Sequence, residues 1–522
     1  MQFYISNIHI LAKMDGNTSS SRSIGVDAIF QYTGSGVQLF SGMVFYIIAV
    51  RLFSTSSVGA IALFVAIVGL FNIVFSFGLA TAAQHFTSYS LGKGDYASVR
   101  HTIYRILMMG TVLSIGGLLA LQLLATEISL VFLHSANYTE LVRILGVVLF
   151  GNIMFGILNG TILGIQQFRL SAIISIVIWL TYYFGALFFA VYLRSIDTIV
   201  YGWIIGIFLG VTAELAVVLS SVRKYLGAGS PPANSYILRY SFPILLSGII
   251  SYGAAYADRF IVSGLLSLSL LGVYNFSLLI ASAIGFVSIP FNNILMPKFS
   301  EFYGKGEKER IALTTEVSST LLSYFYVPSA LGIAALAPII LKLLGGADYV
   351  SGAVPLQIIM FFTAIFISQN IITQAVASIR RTRLFLYSSA FALTGNVLLS
   401  VILIPPFGLI GASLGYSSVY MITFSILYYF ARKEGVVSFD ISGILKVWAS
   451  STLMFLIVDY VSDLLGPHIY LLPFYIILGA ALYIGFAKIF RIFKRENKEL
   501  VLSLFPSRLF FIRKILLFLV LH

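Results

Sequence analysis

Four ionisable residues lie within stretches of the chain that are otherwise long and apolar, namely Asp258, Arg259, Glu214 and Arg51. A charge at the centre of a membrane-spanning helix costs at least about 2.5–3.5 kcal/mol, so each of them calls for a reason. The arginine guanidinium has a planar fork of donors that suits a phosphate. We predict that Arg259, Asp258 and Arg51 contact an anionic substrate and that Glu214 couples the protein to an ion such as a proton.

Each of these residues also has a structural interpretation. Arg259 could belong to a structural ion pair or anchor the outer interface, because counting along the helix from Tyr240 places it in the outer part of the bilayer. Arg51 could extend to the outer surface. Glu214 could simply accept a hydrogen bond within its own bundle. The sequence leaves these alternatives open.

Amide side chains within apolar stretches form a second group of candidates. Hydrogen bonds between helices explain most such residues, but amides at depth could also contact a polar substrate. The group comprises Gln31, Gln38, Asn72, Gln84, Asn152, Asn159, Asn275, Asn292, Asn293, Gln369, Asn370, Gln374 and Asn396.

Several kinds of chemistry are excluded by residues that the sequence lacks. The chain has no cysteine, which excludes disulfides, thiolate metal sites and cysteine nucleophiles. It has no Gly-rich phosphate loop, no His-Glu-x-x-His and no Gly-x-Ser-x-Gly element. We therefore expect no cofactor, no metal and no catalytic residue.

The composition is that of a membrane protein. Of 522 residues, 59% are hydrophobic and only 10% are charged, whereas soluble domains are about one quarter charged. Windows of roughly 20 apolar residues predict fourteen spanning helices and an all-α fold. They lie at 28–53, 57–80, 102–125, 141–163, 170–192, 199–221, 238–264, 270–296, 314–336, 352–376, 384–404, 408–430, 445–463 and 469–490.

The charge of +13 is distributed as topology-setting charge in short loops. Lysine and arginine concentrate in alternate loops, such as those with Lys93, Lys305 and Arg381, so both termini are predicted to be cytoplasmic. A nucleic-acid partner is not expected, because no basic soluble face exists. The basic segment 491–522 is amphipathic and predicts a helix in the inner interface.

The two halves of the chain resemble each other at a nearly constant offset of about 212 residues. Three loop regions show the repeat: 85–95 with 298–307, 164–170 with 378–384, and 223–225 with 432–434. Apolar and aromatic positions match as well as charged ones in the first two pairs, and the third pair shares Arg-Lys. Because each half holds an even number of spans, both halves enter from the same side. Parallel repeats of this kind build transporters.

Several segments together resemble the polysaccharide transporters of the multidrug/oligosaccharidyl-lipid/polysaccharide exporter superfamily. The resemblance covers roughly residues 25–430 and rests on the order and spacing of short motifs at 77–80, 89–96, 239–243, 256–260, 272–274 and 296–300. It implies two six-helix lobes plus two further helices, and transport of undecaprenyl- or dolichyl-linked glycans by alternating access. In that family, helices one, two, seven and eight line the passage, which favours Gln31, Gln38, Asn72 and Asn275 as substrate-binding amides.

The repeat and the resemblance together predict the organisation of the chain. It comprises a cytoplasmic tail over 1–23, an N-terminal lobe over 24–225, a C-terminal lobe over 226–435, two additional helices over 436–490 and the basic tail over 491–522.

The favoured function is that of a flippase for lipid-linked oligosaccharides or polysaccharide repeat units, with the protein a multi-pass monomer in the plasma membrane. Such a flippase would serve cell-surface polysaccharide synthesis or protein glycosylation, next to a glycan polymerase or an oligosaccharyltransferase. A drug or metabolite exporter of the same superfamily is the main alternative. A polytopic glycosyltransferase is less favoured, because the longest predicted outer loops span only about 15 residues.

Overall fold

A computed structural model describes residues 18–225, 232–466 and 468–492, where it contains eighteen α-helices and no strand. The all-α prediction is confirmed. The two predicted tails lie mostly outside these residues, since 1–17 and 493–522 are not described, and α1 begins at Thr18. The helices are α1 Thr18–Leu52, α2 Thr55–Ser76, α3 Leu79–Gly92, α4 Tyr96–Phe132, α5 Thr139–Gly164, α6 Phe168–Leu193, α7 Ile199–Val222, α8 Asn234–Leu265, α9 Leu268–Ala283, α10 Ile289–Gly304, α11 Lys308–Ala335, α12 Ala337–Leu344, α13 Ala353–Ile365, α14 Gln369–Ser378, α15 Arg383–Phe407, α16 Leu409–Lys433, α17 Ile441–Leu465 and α18 Leu472–Phe490.

Fourteen helical segments in the described chain are long and apolar enough to cross a membrane, as the sequence predicts. The protein is thus a multi-pass membrane protein. The observed bounds differ from the predicted ones where a helix breaks. The predicted span 57–80 ends early, because Phe77 and Gly78 both adopt left-handed backbone angles, with φ of 51° and 71°. Two such residues in succession cannot continue a right-handed helix.

The described residues group into two compact units. The first contains the chain up to Tyr252 together with Ser267–Gly272, and the second contains Gly253–Leu266 and the chain from Val273 onward. The division falls inside α8 and α9, so the proposed lobe boundaries at 225 and 435 stay predictions.

The internal repeat extends to backbone geometry. Gly94 and Gly306 take φ angles of 71° and 75°, and Gln166 and Arg380 take 63° and 60°. In each pair the two residues occupy equivalent positions in the repeated loops. Because left-handed angles are uncommon away from glycine, their recurrence at Gln166 and Arg380 supports a shared structural origin of the two halves.

Helices α2 and α9 approach closely through glycines that the repeat makes equivalent. A Cβ on Gly59 would lie 1.9 Å from Leu268 O, and a Cβ on Gly272 would lie 2.0 Å from Thr55 O. Beside them, the hydroxyls of Thr55 and Ser269 are hydrogen-bonded at 2.7 Å. Small residues that allow backbones to touch are a typical means of helix association in lipid.

In the second unit, Glu434 links three helix ends. Its carboxylate accepts hydrogen bonds from Arg381 Nη2 at 2.8 Å and Lys308 Nζ at 3.4 Å. Partial burial opposes ionisation, but these two hydrogen bonds outweigh it, and the pKa of Glu434 is lowered. The cluster ties the start of α11 and the turn before α15 to the end of α16.

Candidate functional site

Three of the predicted substrate residues come together in the second unit. Asp258 and Arg259 lie on α8 and Asn275 lies on α9. Arg259 Nη1 lies 3.4 Å from Asp258 Oδ1, and Arg259 Nε donates to Asn275 Oδ1 at 3.3 Å. The other Asp258 oxygen accepts from Tyr274 OH at 2.8 Å. A buried carboxylate held by a cation and a hydroxyl has the partners that it needs in a low-dielectric site.

The two members of this ion pair differ in exposure. The Asp258 side chain is 0% exposed, whereas that of Arg259 is 12% exposed. The guanidinium lies 4.3 Å from the ring centre of Tyr256, and Nη1 also donates to Ala255 O at 2.7 Å. Within the described part of the chain, nothing accepts a hydrogen bond from Arg259 Nη2. One nitrogen of the fork is therefore available to an anion.

Glu214 lies in the first unit and is completely buried. Its Oε1 accepts from Asn159 Nδ2 at 2.7 Å, and Asn159 also donates to Ser171 Oγ at 2.9 Å. Gln31 reaches the same serine at 3.4 Å and donates to Phe168 O at 2.7 Å. Gln31 therefore belongs to a hydrogen-bonded chain around Glu214. Among the described residues, Glu214 Oε2 has no partner.

Gln38 and Asn72 meet in a separate place, a cavity of about 370 Å³ in the first unit. Its wall is formed by α1, α2, α5, α6 and α7, and it combines amides with aromatic rings. Arg51 lies apart from it, exposed in the last turn of α1. The four predicted substrate residues of the first unit thus lie in three places: Gln31 in the hydrogen-bonded chain around Glu214, Gln38 and Asn72 in this cavity, and Arg51 at the end of α1.

A second cavity, of about 500 Å³, lies between α11, α17 and α18 in the second unit. Two of its tyrosine hydroxyls bond to the backbone: Tyr475 OH donates to Gly466 O at 2.9 Å, and Tyr483 OH donates to Tyr324 O at 2.7 Å. These bonds leave a largely apolar wall, which suits a hydrocarbon chain.

Sequence reasoning did not find Tyr274, Trp179 or Trp203 as parts of these sites. Tyr274 donates the hydrogen bond that completes the Asp258 network, and both tryptophans line the 370 Å³ cavity. A tryptophan in an apolar helix is typical of core packing, so a single sequence does not distinguish a cavity-lining tryptophan from a core one. Tyr274 lies sixteen residues after Asp258, and this spacing is only weak evidence that the two side chains interact.

The chain is similar in sequence to one known protein family. Residues 48–354 match the family model described as polysaccharide biosynthesis protein. A search of curated protein sequences found no match.

Solved structures share the fold. A structure titled "Lipid II flippase MurJ, inward closed conformation" has a TM-score of 0.69 at 15% identity, covering 91% of this chain and 99% of that one. An inward-facing multidrug resistance MATE family transporter of the MOP superfamily has a TM-score of 0.62 at 15% identity, covering 76% and 94%. A Vibrio cholerae MATE transporter has a TM-score of 0.52 at 14% identity, covering 80% and 99%.

The resemblance seen in the sequence is confirmed at the level of family and fold. The solved structures establish the shared fold, and the family model spans more than half of the 522 residues. The chain belongs to the polysaccharide biosynthesis protein family and has the fold of MOP-superfamily flippases and transporters.

Proposed function

We propose that this protein is a flippase that moves lipid-linked oligosaccharides or polysaccharide repeat units from the cytoplasmic to the outer leaflet. The observation that carries the proposal is the agreement of two comparisons. The family is one of polysaccharide biosynthesis, and the fold match to a lipid II flippase extends over 91% of this chain. Both point to a glycan on a lipid carrier.

The physical problem in such transport is the head group. A sugar phosphate loses its hydration in hydrocarbon, whereas a prenyl tail does not. The protein therefore needs polar groups for the glycan, a cation for the phosphate and an apolar surface for the tail. We assign the phosphate to Arg259, supported by its unoccupied Nη2, and the apolar surface to the 500 Å³ cavity of the second unit.

The other predicted residues take supporting roles in this proposal. Asp258 and Asn275 hold the Arg259 guanidinium in place. Gln31 belongs with Glu214, which we propose to be the ion-coupling carboxylate. Arg51, exposed at the end of α1, would attract the phosphate at the outer surface.

The cellular setting follows from the same proposal. The protein would lie in the plasma membrane with both termini in the cytoplasm, as the distribution of lysine and arginine predicts. It would transport by alternating access as a monomer and pass its substrate to a glycan polymerase or an oligosaccharyltransferase.

Export of a drug or metabolite is the second candidate, because MATE transporters share the fold. Coverage favours the flippase. The two MATE transporters cover 76% and 80% of this chain, so roughly a fifth of it has no counterpart there, whereas the lipid II flippase covers 91%. A glycosyltransferase is less favoured, because the longest predicted outer loops span only about 15 residues.

Deletion of the gene tests the proposed function. A flippase mutant should accumulate one lipid-linked glycan in the inner leaflet, and the chemical identity of that glycan would name the substrate. Arg259→Ala should give the same accumulation with normal membrane insertion. Unchanged lipid-linked glycans together with increased sensitivity to cationic drugs would instead support the exporter.

A further inference from the structure

The 370 Å³ cavity of the first unit has a volume typical of small-molecule sites, which range from about 300 to 1,000 Å³. Five helices contribute to its wall, so its shape is set by the packing of the whole unit. None of the ionisable residues discussed above belongs to it. What it can bind is therefore determined by the uncharged polar and aromatic residues of its wall.

Two polar groups in this wall have no hydrogen-bond partner among the described residues. Trp203 is only 2% exposed, and its indole Nε1 has no acceptor. Asn72 Oδ1 is also buried and has no donor. A buried donor and a buried acceptor left unpaired are both costly, so native structures satisfy them with a water or a ligand. An occupant that both accepts and donates hydrogen bonds would satisfy the two groups.

The remaining polar side chains extend this requirement without adding charge. Gln38 and Asn152 line the same cavity, and each carries a donor and an acceptor. No Asp, Glu, Lys, Arg or His is among the described residues of the wall. An ionic ligand would find no counter-charge there, which favours an uncharged occupant with several hydroxyl or amide groups.

Aromatic rings supply the apolar part of the wall. Trp179 stacks on Tyr183 with centroids 6.0 Å apart, and Tyr182 stacks on Trp203 at 5.6 Å with planes 8° apart. Flat apolar faces beside hydrogen-bonding groups are complementary to a pyranose ring, which has C–H faces and a polar edge.

We propose that this cavity binds one uncharged sugar ring of the transported glycan. The inference rests on the proposed function and deepens it, since it separates the sugar site in the first unit from the phosphate site at Arg259. A monosaccharide with no lipid should then bind by itself, weakly and saturably.

The tryptophans provide the assay. The chain has three, at 179, 203 and 448, and the first two line the cavity. A Trp448→Phe protein in phospholipid nanodiscs, free of glycoside detergent, would report only on the cavity. Methyl glycosides of a hexose and of an N-acetylhexosamine are the probes, and sorbitol is the acyclic control.

We expect a saturable fluorescence change with at least one glycoside and none with sorbitol. Asn72→Ala should raise its Kd about three- to tenfold, as expected for loss of one hydrogen bond. Asn152→Ala is the second test variant, used where Asn72→Ala does not fold. Asn370→Ala removes a matched amide of the second unit, which donates to Ile367 O, and should leave the Kd unchanged.

The proposal is overturned if no glycoside gives a saturable change, or if both cavity variants bind with the parent Kd. Binding of tetraphenylphosphonium in place of glycosides would also overturn it and point to aromatic cations. A variant that flips glycolipid normally without binding glycosides would overturn this sugar site and leave the flippase function intact. Glycoside binding by a protein that flips no glycolipid would overturn the flippase function and leave the sugar site intact.

Discussion

The buried pair of Asp258 and Arg259 permits a test that separates folding from transport. We consider three variants: Asp258→Asn, Arg259→Gln and the double variant. Both substitutions replace the charged group with a hydrogen-bonding amide, and Asn also keeps the shape of the Asp258 side chain. Each single variant leaves one charge of the pair without its partner, while the double variant leaves none.

The expected magnitudes follow from the burial of the pair. Removing one partner of a buried ion pair costs about 3–5 kcal/mol, because the other charge is left uncompensated. In soluble domains of 150–250 residues, 1 kcal/mol shifts Tm by about 2–4 °C, so each single variant should lose on the order of 10 °C. The double variant should lose much less than the sum, with a coupling energy above about 1.5 kcal/mol.

The assay has two readouts on the same purified proteins. Thermal unfolding in detergent gives the stability, and flipping of a lipid-linked glycan in liposomes gives the activity. We expect the double variant to recover most of the stability and to remain at least about tenfold slower in flipping, because it lacks the guanidinium to which we assign the substrate phosphate.

Two results would contradict the roles that we assign to Asp258 and Arg259. Additive losses of Tm would mean that Asp258 and Arg259 do not act as a pair. A double variant that is stable and flips at the wild-type rate would show that the pair is structural only, and Arg259 would then have no part in phosphate binding.

Three further predictions concern other parts of the chain. Gly59→Ala should lower Tm through an overpacking cost of about 1–3 kcal/mol, because its Cβ would meet backbone 1.9 Å away, whereas Gly332→Ala, where nothing lies within 4 Å, should not. Glu214→Gln should keep Tm at or above the wild-type value and remove any dependence of flipping on a proton gradient. Glu434→Gln should lower Tm at pH 7, and its difference from wild type should vanish at low pH. The folded pKa of Glu434 is lowered, so its contribution exists above the unfolded pKa of about 4.3 and is lost as pH falls through the folded pKa.

Each of these three predictions has a result that would contradict it. Equal Tm values for Gly59→Ala and Gly332→Ala would contradict the close approach of α2 and α9. A proton-gradient response that persists in Glu214→Gln would remove this residue from coupling. A Glu434→Gln difference that stays constant down to pH 3 would show that its ionisation does not contribute.

Much of the fold could be predicted because lipid imposes a simple rule on the sequence. Long apolar stretches must form helices, and their lengths are set by the bilayer. What could not be predicted was where helices break, since that depends on single residues. Phe77 precedes Gly78 in the left-handed region, and nothing in the apolar pattern marks a phenylalanine for that conformation.

The candidate sites were predictable in part for a similar reason. Charges at depth are rare and costly, so Asp258, Arg259 and Glu214 could be singled out. Amide side chains cost less free energy in a membrane-spanning helix than charges do, and they are more common there. Sequence alone therefore could not show that Gln31 bonds to Phe168 O while Gln38 lines a cavity. The direction of a side chain is set by packing between distant segments.

Flipping by this protein can be measured after the purified protein is reconstituted in liposomes with a lipid-linked oligosaccharide. A membrane-impermeant glycosidase digests the glycan that is exposed on the outer leaflet. We expect the glycan that is first protected inside to become digestible in the presence of the protein, and we expect the double variant of Asp258 and Arg259 to expose it much more slowly. Continued protection with the folded wild-type protein, equal to that in protein-free liposomes, would contradict this expectation.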